Sequence, residues 1–182
     1  LPNSLDLPRL IDLAAEECGI RIEYDPAVLK GTITLRSPSG LSTSELWDFT
    51  NQVLASRGFT SVRTAGAQTL SIVRLADAPS VASTEASRGL VDAVHDPLAA
   101  MAGYRSRLFE VRHRLPRDLV EPVRLILSKP GGVVTHVADS PYLMVSDLAP
   151  RLVEVGAMLD RIDRPRSSIV SVYEPVSADV AS

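Results

Sequence analysis

Residues 6–26 read DLPRLIDLAAEECGIRIEYDP, and the change of period inside this stretch decides the fold class. Asp6 stands at an N-cap position, with Pro8 in the first turn, where a missing N–H removes no helical bond. Leu10, Ile11, Ala14 and Cys18 then recur at helical spacing until Gly19. From Ile20 the period drops to two: Ile20, Ile22 and Tyr24 alternate with Arg21 and Glu23 until Asp25 and Pro26 stop the run. A helix that turns at a glycine into a half-buried strand predicts an α+β fold with helices on small sheets.

Downstream, a second short strand is expected over residues 32–36, after Gly31. Ser42 with Glu45 three residues on forms a capping box, and Leu46, Phe49, Val53 and Leu54 give the next helix its apolar face up to Gly58. Residues 59–63 and 69–75 read as strands joined by a hairpin connection over 64–68. The order αββαββ over residues 1–76 describes one small αβ sandwich domain.

Between residues 77 and 103 the composition turns to Ala, Ser, Asp and Pro without sustained periodicity, which predicts a flexible linker. Leu90, Val91 and Val94 offer at most a marginal helical turn. A second small domain follows over residues 104–166 in the order βαββα: a strand at 105–112, a helix at 117–128, strands at 133–138 and 142–146, and a helix opened by Asp147 and ended by Arg164 and Pro165. Pro122 lacks a helical donor, so the regular part of the first of these helices is expected to begin near Glu121.

Sliding the sequence on itself so that Leu108, Phe109, Glu110 and Val111 meet Ile169, Val170, Ser171 and Val172 also sets Leu115 on Val176 and Asp118 on Asp179. Residues 167–182 therefore read as the start of a repeated module, a third unit begun and not completed.

The 182 residues carry a formal net charge of -3 with signs interspersed, so no global basic field draws the chain to nucleic acid. No apolar run approaches the roughly 20 residues that span a bilayer. Residue 1 is Leu and no basic start precedes an apolar stretch, so a signal peptide has been removed or never belonged to this segment. The single cysteine, Cys18, lies on the apolar stripe of its helix and reads as a small buried hydrophobe.

Chemistry is not signalled. His95, His113 and His136 are scattered outside any metal-binding frame, and no serine sits in a G-x-S-x-G elbow. Gly131 and Gly132 follow a helix and precede a strand, the reverse of a phosphate loop, and read as a turn. No catalytic residue, metal or cofactor is expected. Trp47 reads as partly buried core. Arg105, Arg107, Arg112, Arg114 and Arg117 form a local basic run, but a KH-type nucleic-acid module would need a GXXG clamp and stacking aromatics, which are missing here.

The first domain, with its Gly19, Asp25-Pro26, Gly31, Thr34, Leu35 series, resembles the N-terminal periplasmic domain of bacterial secretins, the ring-forming outer-membrane channels of type II and type III secretion and of type IV pili. That fold is shared with the signalling domain of TonB-dependent receptors, an alternative that the second domain and the repeat argue against. The second domain, closing on Leu159, Asp160, Arg161, Ile162, Asp163, Arg164 and Pro165, resembles the KH-like ring-building module of the same family. Two departures stand out. Only residues 1–5 are available for the strand that usually precedes helix one, and Ser140 and Pro141 replace a common Asn in the second hairpin turn.

The resemblance implies the periplasmic part of an outer-membrane protein, without direct membrane contact and without nucleic acid. It implies a cyclic homo-oligomer, an inner-membrane platform protein and exported cargo as partners. The ring interface is expected at Arg112, Arg114, Arg117, Glu121, Arg124, Arg151 and Glu154, where arginines meet the acids of a neighbouring copy. The platform is expected at the strand edge formed by Ile20, Arg21, Ile22, Glu23 and Tyr24.

Overall fold

A computed structural model describes residues 3–35, 40–63, 69–82 and 97–165. The first half begins with a strand rather than a helix: β1 (Asn3–Asp6) pairs antiparallel with β3 (Thr32–Leu35). The short segment before helix one is thus enough for an opening strand. Between them come α1 (Leu7–Cys18) and β2 (Arg21–Glu23). Asp6 occupies the N-cap position without a side-chain cap bond; instead the N–H of Leu7 donates to the Gly31 carbonyl at 2.9 Å, continuing the β1–β3 ladder into the helix.

At the other end of α1, Gly19 takes φ +63, and the N–H groups of Gly19 and Ile20 donate to Glu16 and Ala15. This is the pair of bonds that closes a helix in the left-handed conformation only glycine adopts freely. It also shortens the expected strand, because the Ile20 N–H is spent on the helix and the ladder starts at Arg21.

The capping box forms at Ser42 and opens α2 (Thr43–Ser56), which leads into the antiparallel hairpin β4 (Phe59–Arg63) and β5 (Thr69–Arg74). β2 joins β5 in parallel, giving the order β2-β5-β4. Leu7, Leu10 and Ile11 of α1 share a core with Leu54 of α2, Ile72 of β5 and Leu29, and both sheets add half-buried apolar groups to it. Arg57, just past α2, donates from Nη2 to the Thr32 carbonyl at 3.0 Å.

The expected linker differs from a flexible tether at both ends. Residues 78–82 are helical, with Ala78 and Ala82 buried. α3 (Pro97–Met101) follows, and Ala102 is buried as well. Small apolar side chains account for both findings: they are too small to signal a core in sequence, yet they let backbone approach an existing one closely. The marginal turn read at Leu90 to Val94 and the repeat start at 167–182 lie outside the described residues.

The second half is β6 (Tyr104–Glu110), α4 (Pro116–Ile126), β7 (Val133–His136), β8 (Tyr142–Leu148) and α5 (Ala149–Ile162), an antiparallel sheet in the order β6-β8-β7 under two helices. Its core joins Phe109, Leu143 and Val145 of the sheet to Leu119, Val123, Leu152, Val155 and Leu159 of the helices. α4 runs through Pro122 without a break, starting at Pro116 rather than near Glu121. Pro122 lies on the exposed side, where the carbonyl it leaves without a helical donor meets water, while buried Leu119 and Val123 hold the opposite face.

Two aspartates differ from their expected or unread roles. Asp147 does not cap α5; the N-cap residue is Leu148, without a side-chain cap bond. Asp147 belongs to β8 and is fully buried, its Oδ2 accepting from the N–H of Ser128 at 2.8 Å and its Oδ1 from the N–H of Leu148 at 2.7 Å. Asp163, just beyond α5, accepts from the backbone N–H groups of Arg112 and His113 at 2.7 and 2.8 Å, and these bonds end β6 before the expected Arg112. Burial opposes the charge on Asp163, but the two N–H donors outweigh it and hold the carboxyl below its ordinary pKa.

Replacing the buried Asp147 with Ala leaves two half-buried N–H donors without their acceptor and should lower unfolding free energy by about 1–3 kcal/mol in urea titrations. A Glu154→Ala change on the surface should stay within about 0.5 kcal/mol. For Asp163, a lowered folded pKa means the stabilisation is complete above the unfolded value of about 3.9 and fades as pH falls through the folded one. Asp163→Asn should therefore be less stable than the parent at pH 7, with the gap closing at pH 3.

Candidate functional site

The three-stranded sheet of the first half has two edges, and the chain itself covers one. β4 is buried at Thr60, Ser61 and Val62, and the N–H of Gly103 donates to Ser61 Oγ at 2.7 Å, so the segment entering β6 lies along it. β2 is the other edge, and no described strand pairs with its outer side. Arg21 and Glu23 are exposed while Ile22 is half-buried in the core.

Of the five residues expected at this edge, the ladder contains Arg21, Ile22 and Glu23. Ile20 and Tyr24 flank it as anchors. The Tyr24 hydroxyl donates to Asp12 Oδ1 at 2.9 Å, tying the strand end to α1, and burial followed by this bond to Asp12 raises the phenol pKa. A short edge carrying one charge of each sign resists indiscriminate pairing while leaving its backbone groups accessible.

The seven residues expected at a ring interface are exposed and each has an internal partner or close neighbour. Arg112 pairs with Glu110 at 2.7 Å, and that bond raises its pKa. Arg114 Nε donates to the Ile162 carbonyl at 2.7 Å. Arg117 lies 3.7 Å from Asp118, Arg124 pairs with Glu121, and Arg151 pairs with Glu154 at 2.6 Å. They do not form one cluster: Arg114 sits at the C-terminal end of α5, on Ile162, and Arg151 in its first turn, about 16 Å apart along the helix.

The basic run is likewise dispersed. Arg105 Nε donates to the Ala102 carbonyl at 2.6 Å at the boundary between the halves, whereas Arg107 lies over the Phe109 ring at 4.8 Å. An extended strand separates Arg105 from Arg112 by about 20 Å. What the charge pattern concealed are two exposed apolar side chains beside the helix ion pairs: Leu125 at 76% and Val153 at 67% exposure.

Trp47 is buried at 3% exposure, and its Nε1 donates to the Met101 carbonyl at 2.7 Å, a contact between residues too distant in sequence to be foreseen. Cys18 is half-buried beside the Thr43 carbonyl, and burial, then Glu17, raises its thiol pKa. His113 and His136 are exposed, and His95 lies outside the described residues. Among the described residues no group of metal-binding side chains converges, and no helix is long and apolar enough to cross a membrane.

The outer-membrane complex of the Klebsiella pneumoniae type II secretion system, with PulD, PulS and the PulC HR domain, is similar over 90% of this chain and 26% of the matched one, at 23% identity and a TM-score of 0.62. The N-terminal domain of the secretin XcpQ from Pseudomonas aeruginosa matches over 92% of this chain and 67% of that one, at 20% identity and a TM-score of 0.34. The XcpQN012 structure matches at 21% identity and a TM-score of 0.34, covering 90% of this chain, which spans 63% of its length. No curated protein matches. Residues 3–69 match the family model of the GspD-like N0 domain. Over residues 3–69 the chain thus resembles the GspD-like N0 domain, and its small-sheet α+β fold is similar to that of the matched part of the Klebsiella complex.

Proposed function

We propose that this chain is the periplasmic vestibule portion of a secretin channel, in which residues 1–76 dock an inner-membrane platform protein and residues 104–166 pack side by side in a cyclic oligomer. Residues 77–103 connect them, and 167–182 open a further ring-building module. Exported cargo would pass through the ring. The observation that carries the docking role is the uncovered edge of β2, in a sheet whose opposite edge is occupied by the chain's own connector. A partner strand laid beside Arg21, Ile22 and Glu23 would gain main-chain hydrogen bonds, and the two opposite charges would select its side chains.

Support for the oligomer role comes from the helical face of the second half. Leu125 stands exposed beside the Arg124–Glu121 pair and Val153 beside the Arg151–Glu154 pair, each helix offering an apolar side chain next to paired charges. Contacts between different patches of neighbouring copies close into a ring, and weak pairwise contacts gain strength from closure.

The PulC HR domain in the Klebsiella complex names the kind of partner to titrate. With the chain labelled in its amides and an HR-type domain added, shifts should concentrate at residues 20–24. Arg21→Glu combined with Glu23→Lys should weaken binding at least about tenfold without altering the fold; shifts confined to β1, β3 or the second half would overturn this site. In the full-length channel, Arg124→Glu with Arg151→Glu should reduce the closed oligomer on native electrophoresis. The same pair should change the stability of the 182-residue chain by less than about 1 kcal/mol, as exposed ion pairs do.

A further inference from the structure

The peptide at Gly103 is bonded to both halves of the molecule at once. Its N–H donates to Ser61 Oγ at 2.7 Å, on β4 of the first half, and its carbonyl accepts from the N–H of Ala149 at 2.8 Å, at the start of α5 in the second. The Ser61 hydroxyl, having accepted from Gly103, donates a hydrogen bond to Asn51 Oδ1 at 2.7 Å. That fixes the amide of Asn51, whose Nδ2 then faces the Met101 carbonyl at 3.5 Å, the same oxygen that Trp47 Nε1 holds at 2.7 Å. Each donor and acceptor in this chain has only one consistent direction.

The fit is close as well as polar. A Cβ at position 103 would lie 2.7 Å from Asn51 Oδ1, too close for Asn51 to stay in place, and tightly against Thr60 Oγ1 at 3.0 Å and Ser61 Oγ at 3.1 Å. Around this joint one apolar cluster mixes residues of both halves, and a second seats the connector on the first half. One contains Val62, Leu75, Ala78, Ala82 and Tyr104, with Leu148 against it; the other sets Ala102, Leu98 and Met101 against Trp47, Ala14 and Leu70. Buried polar groups with fixed partners favour one arrangement over many, because any rotation leaves them unpaired.

We infer that residues 97–103 form a latch that makes the N0 domain and the second domain one mechanical unit, so that a tilt imposed on the first is carried to the second. The rigidity does not depend on where a partner binds; only its use in transmitting a docking event rests on the function proposed above. Amide relaxation on the 182-residue chain tests it directly. Both halves should share one rotational correlation time, and their residual dipolar couplings should fit a single alignment tensor. Gly103→Val should split these into two tensors and two shorter times.

Trp47→Phe combined with Ser61→Ala removes the side-chain bonds from Trp47 and Ser61 to the connector while keeping an aromatic ring at position 47, and should loosen the joint in the same direction if the valine variant fails to fold. Two separate correlation times in the unaltered chain would overturn the inference, as would a folded double variant whose halves still tumble together. An absence of partner shifts at β2 would sink the docking reading and leave these relaxation results unaffected.

Discussion

A peptide group taken out of water between two packed bodies has to find its donors and acceptors among them, and the run from Met101 to Gly103 does so on both sides. The Met101 carbonyl and the Gly103 N–H are claimed by α2 and β4, the Gly103 carbonyl by α5. This constraint sets where β6 begins, which edge of the first sheet is closed, and how the second core is oriented against the first. Each core has its own large apolar cluster, but the surfaces where they meet are neither free nor interchangeable.

Covering β4 with the connector has a directional result. A mixed three-stranded sheet ordinarily offers two edges to the outside; here one is consumed internally, and the outward edge lies on the side of β2. The part of the chain that matches an N0 domain is thus the part that carries a short, charged edge strand. The helix pairs of the second half present a different chemistry, exposed leucine and valine framed by ion pairs that are already satisfied within each helix. Such pairs contribute little net energy but penalise a badly matched neighbour.

Local rules carried much of the reading because the signals were local. Gly19 ends α1, Ser42 and Glu45 build their reciprocal cap, and the βαββα order of the second half follows its periodicities. Failures came where a long-range partner overruled a short-range preference. Ile20 looked like strand until its N–H went to Ala15; Asp147 looked like a cap until Ser128 came within reach; Pro122 looked like a helix start until Leu119 and Val123 outweighed it. The linker was misjudged at its ends because alanines at 78, 82 and 102 carry almost no hydrophobic signal, though all three are buried. The site was half legible: alternation exposed the strand at Arg21 to Glu23, but nothing in sequence could say that its sister edge was taken.

The Arg57 guanidinium on the Thr32 carbonyl acts on the remaining sheet of the first half. In the β1–β3 ladder the bond from Leu7 to Gly31 makes the neighbouring pair, Asp6 and Thr32, the kind whose carbonyls point away from each other, so the oxygen held by Arg57 belongs to the outer rim of β3. A cation seated there blocks a stray extended chain from zipping onto that rim. A guarded rim of this kind discourages strand exchange between copies of a chain, and the fibres that follow from it.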